Sequence, residues 1–224
     1  LIFSLFYKQK SYIFLWINIS RLIINYFMKS NRWLKRQSKD VYVKKAKKIG
    51  FLSRAAYKLI EIDKKYKLIL KSSDILELGA SPGSWSQVII NINDQAKVEA
   101  FDTINMKFKH KNIKFNKIDF FEFDFKLLNK KYDLILSDLS PNTTGHKQTD
   151  HLQISSLLEY LISILDMVLK KDSNAVFKIF KGTEEKYIFF SLKKKFKYVE
   201  YFKPKSSRKD SSEIYMIGKR FLYN

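Results

Sequence analysis

Short apolar segments alternate with amphipathic segments from residue 53 to residue 217. Periodicity of about two residues, or a short apolar run, predicts strands, whereas apolar positions three and four residues apart predict helices. The predicted strands are 74–78, 98–101, 113–115, 132–137, 175–180, 196–202 and 213–217. The predicted helices are 53–66, with Ser53 as N-cap, then 84–92, 151–169 and 184–195, while 40–50 is a basic amphipathic helix or arm.

This order of elements indicates an α/β fold. Strands that alternate with helices at this spacing predict a mostly parallel, doubly wound sheet with helices on both faces. The last two of the seven strands are joined by a short loop, so we expect a C-terminal antiparallel hairpin. Neither internal repeats nor a Gly/Ser linker divides the chain, and we expect one domain over residues 40–224.

Residues 1–39 form a separate basic extension with eight Lys or Arg and no acidic residue. This composition is typical of a transit peptide and predicts a mitochondrial or other organellar location, with the cytoplasm or nucleus as the alternative. The apolar stretch 12–27 is interrupted by polar residues and is too short to span a bilayer. A start of translation at Met28 is a further alternative for this segment.

The charge balance indicates a polyanionic partner. There are 43 basic and 22 acidic residues, a formal net charge of +21. RNA, DNA or an anionic membrane would match such a charge, and a solvated lysine surface is the plainer explanation. Without cysteine the chain has no disulfide or thiolate zinc site, and its three histidines lack metal-ligand spacing, so we expect no metal.

The segment ELGASPGSWS (77–86) joins the first predicted strand to a helix. Ligands of open α/β sheets bind outside the carboxyl ends of the strands, where Gly79 and Gly83 would let a cofactor approach the backbone. The segment matches neither a P-loop nor the GxGxxG of dinucleotide folds. Asp102 ends the second strand, where its carboxylate would accept hydrogen bonds from the hydroxyls of a cofactor ribose. Asp119 follows the third strand, where its carboxylate would accept a hydrogen bond from an adenine amine.

A second group of polar residues predicts catalysis. Asp138 follows the fourth strand, where a turn alone would also explain it. Lys178 interrupts the apolar run AVFKIF, and a buried lysine must be paired or face a cavity because an unpaired buried ammonium is costly. That cost would favour its neutral, proton-accepting form. Glu213 offers a second carboxylate and Lys58 a second cation.

From about residue 32 to the C-terminus the chain resembles the FtsJ/RrmJ family of ribose 2′-O-methyltransferases. The segments that carry the resemblance are RWLKRQSKDVYVKKAKKIGFLSRAAYKL, LELGASPGSWSQV, LSDLSPNTTG, FKIFKG and KPKSSRKDSSEIY. The resemblance implies a Rossmann-like fold that uses S-adenosylmethionine. It implies a catalytic tetrad of Lys58, Asp138, Lys178 and Glu213. It implies cofactor contacts at Gly83, Trp85, Asp102, Asp119 and Asp138, and we expect Gly79 of the same loop to be a further cofactor contact.

The reaction implied by this resemblance is 2′-O-methylation of RNA, with a uridine of large-subunit ribosomal RNA as the expected target and the large ribosomal subunit as the expected partner. We expect Lys178 to be the general base, or alternatively to stay protonated and stabilise the forming alkoxide. A monomer is expected. The predicted RNA-binding residues are Lys44, Lys45, Arg54, Lys205 and Arg208. Ser84 departs from the glycine usual in bacterial members and would trim the pocket.

Three alternatives remain at this point. The same family includes enzymes that act on tRNA anticodon loops and on mRNA caps. An RNA-binding ribosome assembly factor without catalysis is a different class, although it would not need a lysine inside a strand. A nicotinamide-dependent oxidoreductase would use the same type of sheet, but the sequence lacks GxGxxG.

Overall fold

The computed structural model describes residues 36–128, 130–140, 147–182 and 184–222. The chain divides into two compact units, Leu1–Lys45 and Ala46–Asn224. The predicted boundary between residues 39 and 40 therefore stays a prediction. The second unit contains every strand of the described chain.

The helices follow the predicted amphipathic segments. They are α1 (Val41–Lys48), α2 (Ala55–Tyr66), α3 (Ser84–Ile92), α4 (Lys147–Val168) and α5 (Glu185–Lys195), with a 3₁₀ turn at Phe125–Leu128. Asp40 caps α1, because its Oδ1 accepts the backbone N–H groups of Tyr42 and Val43 at 3.0 and 3.3 Å. The N-cap of α2 is Arg54, not Ser53 as predicted, although the Ser53 hydroxyl still accepts the N–H of Ala55 at 3.2 Å.

The seven predicted strands form one sheet. They are β1 (Asp74–Leu78), β2 (Lys97–Asp102), β3 (Ile113–Lys117), β4 (Tyr132–Ser137), β5 (Leu169–Phe180), β6 (Phe196–Phe202) and β7 (Glu213–Phe221). Their order is β3-β2-β1-β4-β5-β7-β6. Neighbouring strands are parallel from β3 to β5, and β7 is antiparallel to both β5 and β6. The predicted fold class is therefore confirmed.

The start of β5 differs from the prediction. The prediction ends a helix at residue 169 and begins the strand at residue 175, but β5 begins at Leu169, which is buried and pairs with Tyr132. The register then shifts before Leu134 pairs with Asn174, and the exposed Asp172 has φ of 62°. Lys171 and Asp172 face solvent, and the buried Ser173 donates its hydroxyl to the Lys170 carbonyl, so the strand lacks an apolar pattern there.

Both faces of the sheet are covered. One face packs against α2 and α3, with Ile75 and Val176 pointing towards them. The other packs against α4 and α5, with Leu76 and Phe177 pointing that way. Successive strand residues alternate between faces, so each strand contributes to both layers of the core. The carboxyl ends of β1, β2, β4 and β5 and the start of β7 lie at one edge of the sheet, where the predicted site residues meet.

Candidate active site

Lys178 and Asp138 form a buried ion pair at the carboxyl ends of neighbouring strands. Lys178 lies in β5 and is 6% exposed, while Asp138 directly follows β4. The lysine Nζ lies 3.2 Å from Asp138 Oδ1 and donates to the Asp138 carbonyl oxygen at 2.8 Å. The lysine that interrupts the apolar strand is therefore paired, as the cost of burying an unpaired ammonium requires.

Lys58 and Glu213 form a second ion pair beside the first. Lys58 projects from α2, Glu213 opens β7, and their Nζ and Oε2 atoms are 2.7 Å apart. The other carboxylate oxygen of Glu213 accepts the hydroxyl of Ser207 at 2.8 Å. Both carboxylate oxygens are thus occupied, which fixes the Lys58 ammonium at the edge of the site.

Tyr215 lies beside the Lys178–Asp138 pair and was missed by the sequence analysis. It pairs with Lys178 in the antiparallel register, and its hydroxyl donates to Asp138 Oδ1 at 2.8 Å. Its place two residues after Glu213, on the same face of β7, is the signal that could have identified it. Burial raises the pKa of Asp138, but the charges of Lys178 and Lys58 and this hydrogen bond outweigh it, and the pKa is lowered overall. Burial and the nearby carboxylates raise the pKa of Tyr215.

A cavity of about 850 Å³ lies beside this cluster. Of the predicted cofactor and catalytic residues, five line it, namely Gly79, Asp102, Asp119, Asp138 and Lys178. Ser140, Gln153 and Ser156 line its far wall. Its volume is in the range of small-molecule pockets, and its few polar groups converge from several strand ends.

The loop after β1 closes on the cavity through Gly79. Its φ is +76°, and a Cβ at this position would lie 2.9 Å from the Leu139 nitrogen. Asp102 accepts the backbone N–H groups of Ser81 and Ile104, each at 2.8 Å, and Asp119 accepts that of Phe121 at 2.9 Å. These two carboxylates therefore hold the loops around the cavity. Each oxygen keeps a further lone pair that a ligand could use.

Three residues of the predicted cofactor loop do not line the cavity. Gly83 has φ of +109°, and a Cβ there would lie 2.6 Å from Phe108 Cβ. The Trp85 indole N–H donates to the Ala55 carbonyl at 2.9 Å, so this ring joins α3 to α2. The Ser84 hydroxyl is 2.7 Å from that of Ser53, and Ser84 does not line this cavity, so the predicted trimming of the pocket stays a prediction.

Glu77 is a buried acid that the sequence analysis did not single out. One of its carboxylate oxygens accepts the Ser86 hydroxyl, and the other has no hydrogen-bond partner. Burial, together with the charges of Asp138 and Asp102, raises the pKa of Glu77 to about 8. This buried acid in the centre of the sheet thus lies within electrostatic reach of two carboxylates of the cavity.

The predicted RNA-binding residues of the second unit flank the tetrad. The Arg54 guanidinium donates to the Ser206 carbonyl, and burial together with Arg208 lowers the pKa of Arg54. Lys205 is exposed on the same loop. Glu61 holds this loop by accepting the N–H groups of Lys205 and Ser206 at 2.5 and 2.9 Å.

In the first unit, Lys44 and Lys45 are exposed on α1. The Lys45 ammonium lies 5.7 Å from the centre of the Tyr42 ring. These two residues stay predictions as RNA contacts.

Within the described ranges, no cluster of three His, Cys, Asp or Glu side chains could hold a metal ion. Of the helices placed in those ranges, none is both long and apolar enough to cross a membrane. His146 lies outside the described residues.

Comparison with known proteins agrees with this geometry. Residues 51–221 match the model of the FtsJ-like methyltransferase family. "Ribosomal RNA large subunit methyltransferase E" of Ehrlichia chaffeensis is 43% identical over 202 residues, covering 87% of this chain and 94% of the relative. The protein of that name from Wolbachia of Brugia malayi is 42% identical, covering 88% and 91%.

Solved structures give the same result. A crystal structure of a ribosomal RNA methyltransferase from Plasmodium falciparum has a TM-score of 0.68 and 32% identity, and covers 77% of this chain and 99% of that chain. A fibrillarin of Methanococcus jannaschii, at 21% identity and a TM-score of 0.50, shares the fold alone. The chain belongs to the FtsJ-like methyltransferase family.

Proposed function

We propose that this protein transfers a methyl group from S-adenosylmethionine to a ribose 2′-hydroxyl of large-subunit ribosomal RNA. The observation that carries the proposal is the Lys178–Asp138 ion pair at the wall of the cavity, where a base or a cation could meet the acceptor oxygen. The two bacterial relatives are named as methyltransferases of large-subunit ribosomal RNA, which supports this RNA as the substrate.

The cavity suits the cofactor. S-adenosylmethionine supplies a methyl group bound to a positively charged sulfur. Asp102, Asp119 and Asp138 place three carboxylates in the lining, which favours a cationic ligand over an anionic one. Gly79 leaves the space that a side chain would fill. We assign these four residues to cofactor binding, and Gly83 and Trp85 to the support of the loop and helix beside it.

Lys178 is our proposed general base. A neutral lysine has two N–H groups and one lone pair, and Asp138 offers two acceptors, its carbonyl and Oδ1, to those N–H groups. The lone pair would then take the proton of the 2′-hydroxyl while its oxygen bonds to the methyl carbon and the carbon–sulfur bond of the donor breaks, which releases the neutral sulfide. In the alternative, Lys178 keeps its proton and donates its third N–H to the developing alkoxide. A kcat that does not rise with pH supports this alternative over base catalysis.

Tyr215 and the remaining tetrad residues hold the Lys178–Asp138 pair in position. Tyr215 donates to the oxygen of Asp138 that also faces Lys178, so it fixes the carboxylate. Glu213 holds Lys58, whose charge stabilises ionised Asp138. The reacting atoms must be aligned in line for methyl transfer, and a rigid set of charges provides this alignment.

The test is the transfer of labelled methyl from S-adenosylmethionine to large-subunit ribosomal RNA, ribosomal particles and tRNA, with the methylated nucleoside identified after digestion. Lys178→Ala should abolish the transfer. The matched control is Lys170→Ala, because Lys170 is also in β5 and also pairs with carboxylates, Asp74 and Asp133, but at the opposite end of the strand. The control should keep its activity.

The other outcomes point elsewhere. Label on tRNA alone would indicate that the substrate is the tRNA anticodon loop. No label on any RNA, with S-adenosylmethionine still bound, would indicate an RNA-binding assembly factor. Equal losses in Lys170→Ala and Lys178→Ala would contradict the assigned role of Lys178.

Location and assembly stay proposals. The transit-peptide composition lies mostly outside the described residues, and the bacterial origin of the two relatives gives no support for an organelle. The large ribosomal subunit is the proposed partner, and a monomer is the proposed state.

A further inference from the structure

Three aromatic rings line the outer edge of the sheet on the side of α2. Tyr198 and Phe202 belong to β6, the edge strand, and Tyr66 ends α2. The rings of Tyr66 and Phe202 meet edge to face, 5.7 Å apart. Tyr198 is 47% exposed. An exposed ring at this position offers a surface on which a planar group could stack.

Lysines lie over these rings. The Lys65 ammonium is 4.8 Å from the centre of the Tyr66 ring and 5.2 Å from that of Phe202. Lys219 is 5.5 Å from the Tyr66 ring, and Lys197 is 5.6 Å from the Tyr198 ring. We call these three rings and three lysines the edge strip. Glu200, the carboxylate among them, is paired with Lys219, so the strip carries a net positive charge.

The edge strip begins beside Tyr215 and leads away from the cofactor cavity. Phe202 pairs with Tyr215, whose hydroxyl contacts Asp138. Tyr198, which pairs with Lys219, lies four residues before Phe202 in β6. At the usual rise of a strand, this separation is about 13 Å. The cavity, in contrast, is lined by residues at the carboxyl ends of β1 to β5, among them Lys178, and by α4. The second substrate can therefore approach the tetrad along the strip while the cofactor occupies the cavity.

We propose that the edge strip binds unpaired nucleotides of the RNA next to the acceptor ribose. Bases of single strands stack on aromatic side chains, whereas those of a duplex are already stacked on each other. The lysines are placed to meet the phosphates of such a strand. The positive charge favours RNA over an apolar protein partner. This inference rests on the proposed function, because that function places the ribose at the tetrad.

The test compares Tyr198→Ala with Tyr187→Ala. Tyr187 is 56% exposed on α5, which covers the other face of the sheet, so it matches Tyr198 in residue type and exposure. Binding of a labelled single-stranded RNA oligonucleotide is followed by fluorescence anisotropy, with an RNA duplex as the second ligand. Loss of one stacking contact should raise the Kd for the single strand about fivefold in Tyr198→Ala. Tyr187→Ala and duplex binding should stay near wild type.

A second variant tests the charges. Lys65→Gln combined with Lys197→Gln removes two exposed cations, and the slope of log K against log salt should fall by about 1.4 for a single strand. Unchanged binding in both edge-strip variants, or an equal loss in Tyr187→Ala, would overturn the inference.

The same proteins then separate this inference from the proposed function. A wild type that binds RNA through the strip but transfers no methyl refutes only the function. A wild type that transfers methyl, with a KM for RNA unchanged in Tyr198→Ala, refutes only the strip. The expected result is a raised KM with an unchanged kcat.

Discussion

Gly79 allows a direct test of how the cofactor loop is built, because Gly50 provides a matched control. Both glycines have positive φ, +76° and +83°. A Cβ on Gly50 would meet nothing within 4 Å, whereas a Cβ on Gly79 would lie 2.9 Å from the Leu139 nitrogen and 3.0 Å from the Asp138 carbonyl carbon. Alanine at Gly50 thus adds backbone strain alone, and alanine at Gly79 adds a clash with the backbone that carries Asp138.

The two effects have different sizes. The left-handed conformation costs an L-residue about 1–2 kcal/mol, and a less flexible unfolded chain returns about 0.4–1 kcal/mol, so Gly50→Ala should destabilise by about 1 kcal/mol. Overpacking adds about 1–3 kcal/mol where neighbours must move. The neighbour of Gly79 is backbone rather than a flexible side chain, so Gly79→Ala should cost about 2–4 kcal/mol in total.

Urea unfolding of both variants measures these costs, and titration calorimetry with S-adenosylmethionine measures the consequence for the site. Gly79→Ala should also weaken cofactor binding, because Asp138 and Leu139 line the cavity and must shift. Gly50→Ala should bind normally. Equal losses of stability in the two variants would refute the steric argument, and normal cofactor binding by Gly79→Ala would refute its link to the site.

Two further predictions concern buried polar groups. Ser207→Ala removes the hydroxyl that donates to Glu213. A hydrogen bond to a charged group is worth about 1.5–3 kcal/mol, so kcat should fall about tenfold or more. The Kd of the cofactor should stay unchanged. Ser207→Thr should restore most of the rate, and an unchanged kcat in Ser207→Ala would show that Glu213 needs no such support. Burial first, then Asp138 and Asp102, raise the pKa of Glu77 from its ordinary 4.5 to about 8, so the folded protein holds a proton that the unfolded chain releases. The contribution of Glu77 to stability is complete below pH 4.5 and is lost as pH rises towards 8. The free energy of unfolding, measured with urea, should therefore fall less over this pH range in Glu77→Gln than in the wild type. An equal fall in the variant would assign the loss of stability to other groups.

The fold could be predicted because its strands are short apolar runs in a regular order. Each central strand places one set of residues against α2 and α3 and the alternate set against α4 and α5, as Ile75 and Leu76 do. Two-sided burial leaves a continuous apolar run, which is a strong local signal. The polar start of β5 gave no such signal, because Lys170 bridges Asp74 and Asp133 at the surface while the backbone continues the strand.

The site was predicted less completely. Lys58, Asp138, Lys178 and Glu213 stood out by motif or by being charged within apolar runs. Tyr215 did not, since a tyrosine in a buried strand is ordinary until its hydroxyl is seen to reach a residue 77 positions away. Glu61, which holds the loop of Lys205 from 144 positions away, is likewise a matter of tertiary structure. Such contacts depend on which strands are neighbours, and local patterns do not contain that information.

The charges of the molecule separate its two proposed substrates. The described lining of the cavity carries Asp102, Asp119 and Asp138, with Lys178 as its one cation, and this balance favours a positively charged cofactor. The edge strip and the loop of Lys205 present cations on the other side of the tetrad, which favours RNA. Tyr215, whose hydroxyl donates to Asp138, connects the Lys178–Asp138 pair at the wall of the cavity with Phe202 of the edge strip. Because opposite charges attract each substrate to its own side, the methyl donor and the ribose are brought to the same pair of residues without competing for one surface.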